Sequence, residues 1–248
     1  MNTTGHNVLV TGGSTGIGLA IAAAFLEQGS RVAICARNAS ALTDAAAVYP
    51  ALRTWPCDLR QEEDLRRLVV RAKEEFGGLS VLVNNAGIQL NYDFTREAPE
   101  AILERIDDEV DTNLTGLAKL TALFIPVLKQ AHDAAIVNVS SGLALVPKRS
   151  APIYCATKAA VHSFSKSLRW QMEDSGLPIR VFEVLPPMVE TAMTEGRGKG
   201  KIAPEQVAAA LLAGMRKNQS EIRVGKVRML APVSRFFPRL AERILRDA

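Results

Sequence analysis

Tyr154 and Lys158 stand four residues apart in the stretch PIYCATKAAV. On a helix that spacing puts both side chains on one face, one turn apart. A phenol titrates near 10 in water, and a cation beside it favours the phenolate and lowers that value. The pair reads either as an acid with the cation that tunes it or as two solvated neighbours, and its spacing alone does not separate the two.

A second chemical signal opens the chain. VLVTGGSTGIGLAIA places Gly12, Gly16 and Gly18 between an apolar run and a helical pattern. Glycines there let backbone amides approach a pyrophosphate, whose charge the helix N-terminus stabilises. Ser14, Thr15 and Ile17 complete the turn, which reads TGxxxGxG rather than GxGxxG. The bland alternative is a tight turn that needs glycine for its backbone alone. The next strand ends ICARNAS, with Ala36 where an acid would bond ribose hydroxyls, then Arg37 and Asn38. An arginine there accommodates a 2′-phosphate, which favours NADP(H) over NAD(H). Asp58, followed by Leu59, either bonds an adenine amino group or caps the helix after it.

These residues need elements to hold them. Short, almost continuously apolar runs alternate with longer helical patterns. Strands are expected at NVLV, RVAICA, within LRTWPCDL, at LSVLV, AAIVNVSS and PIRVFEVLPP, with a seventh at EIRVGKV. Helices are expected at GLAIAAAFLEQG, EEDLRRLVVRAKEEFG, Pro99 to Gln130, the segment containing Tyr154, and APEQVAAALLAGMRKN. Strands apolar on both faces belong to a parallel sheet covered by helices. The alternation predicts an α/β, Rossmann-type doubly wound sheet of about seven strands with helices on both faces, in one domain. Ligands of such sheets bind beyond the carboxyl ends of the strands, where this chain reads TGGSTGIG, CARN, CDL, NNAG, SSG and LPP.

At this point the chain resembles the short-chain dehydrogenase/reductase family in its compact form of about 250 residues. The resemblance rests on TGGSTGIG, NNAG, DTNLTG, NVSSG, YCATK and LPPMVET, in family order over nearly the whole length. Its PP pair and its tail RFFPRLAERIL are similar to the branch of the DltE-like oxidoreductases. The resemblance implies hydride transfer between a nicotinamide and a ketone, aldehyde or secondary alcohol, with Asn113, Ser141, Tyr154 and Lys158 as the catalytic set. Tyr154 would act as general acid and base, tuned by Lys158, which also bonds the nicotinamide ribose. Ser141, thirteen residues before Tyr154, would hold the carbonyl oxygen. Asn113 would hold a water joining Lys158 to solvent, or else bond nearby backbone inside its helix. Asn85, Ala86 and Gly87 would line the cofactor, as would Pro186, Val189 and Thr191. Pro187 departs from the family, which has glycine there; it fixes φ and removes an N–H from the pocket floor.

The loops after the fourth, fifth and sixth strands offer Gln89, Leu90, Leu143, Leu145, Val146, Pro187, Met188 and Met193. That predicts a small, neutral, moderately hydrophobic carbonyl or alcohol substrate. Residues 194–204, rich in glycine and lysine, are expected to form a lid. Residues 232–248 are expected to form a basic helix, with Phe236, Leu240 and Ile244 on one stripe and Arg235, Arg239 and Arg243 beside it. The helix would lie on a membrane surface, or pack on the domain or a partner subunit, the latter being favoured.

Several classes are disfavoured. Three scattered cysteines and three dispersed histidines give no metal spacing and no disulfide framework, and Cys155 reads as a small buried helix residue. No leader or spanning segment is seen, which predicts a cytoplasmic protein. The net charge of +4 gathers at the end: nine Lys/Arg stand against three Asp/Glu from Arg216 onward. No nucleic-acid motif accompanies it. The family pattern also predicts a homodimer or homotetramer paired through the helices of Asn113 and Tyr154. A regulator that binds NADP(H) without turnover is the alternative class, and an isomerase or dehydratase on the same scaffold is a weaker one.

Overall fold

A computed structural model describes residues 1–196, 198 and 200–247. The apolar runs pair as strands β1 (Asn7–Thr11), β2 (Arg31–Ala36), β3 (Arg53–Pro56), β4 (Val81–Asn84), β5 (Ala134–Val139), β6 (Ile179–Leu185) and β7 (Glu221–Arg223). They form one sheet in the order β3-β2-β1-β4-β5-β6-β7, with every neighbouring pair parallel.

Side chains of a strand alternate between faces, and this sheet buries both. Val8 and Val10 belong to one apolar cluster and Leu9, between them, to the other. The first cluster is closed by α1 (Gly16–Glu27), α2 (Ala39–Val48) and α7 (Pro204–Arg216). The second is closed by α3 (Glu62–Phe76), α5 (Gly116–Leu128) and α6 (Pro152–Ser175). This is the doubly wound, single-domain Rossmann-type architecture expected. β1 lies between β2 and β4, so the chain departs from it in both directions. A crevice opens at such a switch point beyond the carboxyl ends of the strands.

Three elements differ from expectation. The pattern did not announce α2; Asn38 opens it by accepting a hydrogen bond from Ala41 N at 3.1 Å. The helical region from Pro99 is not uniform: α4 (Pro99–Val110) passes into α5 through a π-helical turn, Asp111–Thr115. Such turns bulge the backbone and recur at functional sites. The tail is not one helix but two, α8 (Val227–Phe236) and α9 (Pro238–Leu245). Pro238, which lacks an N–H, opens the second at its first turn.

Candidate active site

The carboxyl edge of the sheet holds a cleft of about 890 Å³. At one end lies the turn between β1 and α1. Gly12 has φ +61°, and a Cβ there would stand 2.8 Å from the Cα of Ala86. A Cβ on Gly18 would strike the carbonyl of Gly12 itself, so β1, α1 and the end of β4 close on one another only with glycine at both places. Asn85 ties the turn down by donating to the carbonyls of Thr11 (2.9 Å) and Gly12 (3.1 Å). Thr11 returns the tie: its hydroxyl accepts from the amides of Asn85 and Ala86, both at 3.0 Å. Sequence reasoning passed over Thr11, whose only signal is its place as the last residue of β1. The N-terminus of α1 has no side-chain cap and no acidic residue in its first turn, which leaves its amides for an anion.

Arg37 stands exposed at the end of β2 and lines the cleft. Asp58 also lines it, but does not cap α3. Its carboxylate accepts from Arg60 Nε (3.0 Å) and Nη2 (2.6 Å), and Arg60 holds it below the usual carboxylate range.

At the other end, Ser141, Tyr154 and Lys158 share the wall. Pro152 opens α6, and Tyr154 and Lys158 follow on its buried face. Lys158 Nζ donates to the Val139 carbonyl at 2.8 Å and lies 5.7 Å from the centroid of the Tyr154 ring. Burial pushes Lys158 down to about 8, against the opposing pull of Glu183 and Glu109. Burial pushes Tyr154 up to about 12, and its interaction with the Ser141 hydroxyl pulls the other way. The lowering of the phenol expected from Lys158 is not among the influences on Tyr154 in the chain by itself. In the folded chain burial is the largest influence on the phenol, and the lowering one comes from the Ser141 hydroxyl. Ser141 Oγ also accepts from Leu143 N at 3.1 Å, which fixes the turn after β5.

Asn113 is fully buried in the π turn and does not line the cleft. Its carboxamide accepts from Ile88 N (2.8 Å) and donates to Ile88 O (2.9 Å) and Thr157 Oγ1 (3.1 Å). The side chain therefore clamps the loop after β4 onto α6. Gly18 is the other expected site residue outside the cleft lining. Gly12, Ser14, Thr15, Gly16, Ile17, Arg37, Asn38, Asp58, Leu59, Asn85, Ala86, Gly87, Ser141, Tyr154, Lys158, Pro186, Val189 and Thr191 all border it.

The substrate end is built differently from the sequence reading. Gln89, Leu143, Pro187, Met188 and Met193 line the cleft, but Leu90, Leu145 and Val146 do not. Val146 is buried elsewhere, and the Leu90 amide is held by Glu109 at 3.1 Å. In their place come Lys148 and Lys226, with Met229, Leu230 and Val233 of α8 and Ile244 and Leu245 of α9. The expected lid is partly fixed: Ile202 bridges to Val189 and donates to Met188 O at 3.1 Å. Arg197 and Lys199 of that segment, and Ala248 of the tail, lie outside the described residues.

Two buried carboxylates behind the site escaped the sequence reading. Glu109 accepts from the Tyr92 hydroxyl at 2.8 Å, and burial raises it above the usual carboxylate range. Glu183 accepts from the Ser140 hydroxyl and faces His162 Nδ1 at 2.8 Å. Cys155 is buried, its thiol raised by desolvation, which suits packing rather than reactivity. No cluster of potential metal ligands occurs among the described residues.

A glycine turn and a tyrosine–lysine helix at opposite ends of one cleft meet a family pattern. The model of the short chain dehydrogenase family matches residues 6–201. The chain belongs to this family. It is 39% identical over 241 residues to the uncharacterized oxidoreductase DltE of Bacillus subtilis (strain 168), covering 95% of this chain and 94% of that protein. Among solved structures it is similar to a short chain dehydrogenase from Burkholderia cenocepacia J2315 in complex with NADP. That match has a TM-score of 0.85 and 28% identity, and covers 99% of both chains. It shares its fold with a short chain dehydrogenase/reductase from Burkholderia phymatum in complex with NAD, at TM-score 0.85 and 20% identity over 95% and 96% of the two chains. The protein is thus an oxidoreductase of the nicotinamide-dependent, Rossmann-type class, and no described helix is long and apolar enough to cross a membrane.

Proposed function

We propose that this dehydrogenase interconverts a ketone or aldehyde and its alcohol with NADP(H), using Tyr154 as the acid and base. The observation that carries the reading is the continuity of the cleft, which runs from the uncapped start of α1 to Tyr154 and Ser141. The residues fit a dinucleotide. The close-packed glycine turn leaves backbone amides open at its phosphate end. The Thr112 hydroxyl, buried in the cleft wall, has no hydrogen-bond partner among the described residues. Arg37 beside Ala36 supports NADP(H) over NAD(H), as does the relative that holds NADP.

The cofactor, when bound, supplies or accepts the hydride. The chain does the rest. Tyr154, pushed up to about 12, remains a phenol at neutral pH and is a donor for a developing alkoxide. Ser141 stands with it in the cleft wall and orients the oxygen. Lys158, anchored on Val139, sets a positive charge under the ring of Tyr154. Asn113 acts at one remove by holding the Ile88 loop against α6. The apolar side chains of α8 and α9 suit a neutral, moderately hydrophobic substrate. Pairing of copies through α6 is supported by Trp170, which that helix leaves 60% exposed.

The test is NADPH oxidation against a panel of ketones, aldehydes and quinones, with Tyr154→Phe and Lys158→Ala beside the parent. Both variants are expected to lose on the order of 10²–10⁴ in turnover while remaining folded. Near-parental turnover in both would sink the assignment.

A further inference from the structure

The end of the chain carries a feature that the hydride chemistry does not use. In α9, Ala241 is fully buried against the domain and Leu245 faces the cleft. The neighbouring flank is uncovered: Leu240 is 51% exposed and Ile244 59%, and the turn before them leaves Phe236 at 70% and Phe237 at 64%. Within the chain, the helix meets its own domain through Ala241, Leu245 and the edge of Ile244 that borders the cleft, and most of the stripe stays uncovered.

Basic residues border the uncovered stripe. Arg239 and Arg243 stand one turn apart on α9, Arg235 lies in the last turn of α8, and all three are exposed. Arg239, Arg243 and Arg246 also line a groove of about 400 Å³ with Lys148 and Arg149, in which Glu242 is the single acid among the described lining residues. Arg149 pairs with Asp247 at 2.7 Å, so part of the positive charge is offset. Arg239, Arg243 and Arg246 then stand in the groove against Glu242.

An apolar stripe edged by arginines is the pattern of a helix lying in a lipid–water interface, where arginines reach headgroup phosphates while apolar side chains enter the acyl boundary. A second copy of the chain would bring an identical basic face, and like charges oppose that pairing. We propose that α8 and α9 form a docking face for an anionic lipid bilayer, with Phe236, Phe237, Leu240 and Ile244 entering the interface and the arginine groove holding lipid phosphates. Lys148 belongs to both the groove and the cleft, and Ile244 and Leu245 wall the cleft. Docking thus sets the cleft beside the acyl layer, from which an apolar carbonyl compound enters directly. That consequence rests on the proposed activity, whereas docking does not.

The experiment is co-sedimentation of the full chain with vesicles of phosphatidylglycerol and phosphatidylcholine, and with phosphatidylcholine alone, at low and high salt. Binding is expected on the anionic vesicles and to fall as salt rises. Arg239→Glu with Arg243→Glu is expected to weaken it by tenfold or more, at about fivefold for each charge removed. Phe236→Asn with Leu240→Asn keeps the charge, alters only exposed side chains, and is expected to weaken binding as well. Circular dichroism confirms that each variant is folded, and light scattering reads the oligomer. No sedimentation of the parent overturns the proposal, as does parental binding by both variants. An oligomer that both variants dissociate, without vesicle binding by the parent, assigns the face to self-association instead.

Discussion

Lys158 holds its ammonium 2.8 Å from the carbonyl of Val139, in a place where the side chain is almost wholly removed from water. Burial there lowers it from 10.5 to about 8. The sign of the effect on stability follows. Between those values the unfolded chain keeps a proton that the folded chain has released, so stability rises with pH across the window. Below about 8 the cost of the buried charge is fully present. The shift corresponds to something on the order of 3 kcal/mol, about two-thirds of which falls between pH 8 and 10, so Tm of the parent should gain roughly 4–8 °C on Lys158→Met over that window. Tyr154, raised from 10 to about 12, works in the opposite sense only above pH 10. Thermal unfolding of both proteins against pH is the measurement, and parallel curves would contradict the burial argument.

Ser141 is the group that draws the Tyr154 phenol down. Its removal leaves burial unopposed by that bond, and the acid then titrates higher. Oxidation of an alcohol requires the deprotonated form, so the rising limb of kcat/KM should move to higher pH in Ser141→Ala. A limb that stays in place, with only its height reduced, would confine Ser141 to positioning the substrate.

Arg37 stands exposed at the end of β2 with Ala36 before it. A guanidinium on a 2′-phosphate contributes a charge-assisted bond, and an aspartate in its place repels that phosphate while accepting from ribose hydroxyls. Arg37→Asp is expected to weaken NADPH binding by about 10–100-fold and to narrow or reverse the preference over NADH. Titration of both cofactors by fluorescence reads this directly. Equal affinities in the parent would refute the role given to Arg37.

What could be read in the residues depended on how far apart the interacting groups lie in the chain. The buried strands announce themselves as apolar runs, and the glycine turn and the tyrosine–lysine pair are local patterns. Their common cleft follows from parallel strands alone, since these put all carboxyl ends on one edge. Asn113 was found, but its clamp on Ile88 joins residues 25 apart through a π turn that no local pattern signals. Glu183 looks like one acid in an apolar run until the register of β5 and β6 sets it beside Asn138 and under α6. The tail stripe was visible as periodicity. Which side it faces depended on a break at Phe237 and on the small Ala241 that fits against the domain.

The Glu183 carboxylate is 1% exposed and is held by two groups, the Ser140 hydroxyl and His162 Nδ1, the latter at 2.8 and 3.0 Å from its two oxygens. It lies close enough to Lys158 to favour that ammonium against its burial. Replacing His162 by leucine leaves the carboxylate with Ser140 as its single side-chain hydrogen-bond donor among the described residues, in a place where water does not compensate. Breaking one side of a buried polar pair costs about 3 kcal/mol, whereas replacing both sides by apolar groups costs much less. His162→Leu should therefore be the more destabilised protein, and His162→Leu with Glu183→Leu should recover a large part of the loss. The cycle is read from urea unfolding of the parent, both single variants and the double. Additive losses would mean that the two residues do not act as a pair, and that Glu183 is held by Ser140 and the surrounding strands alone.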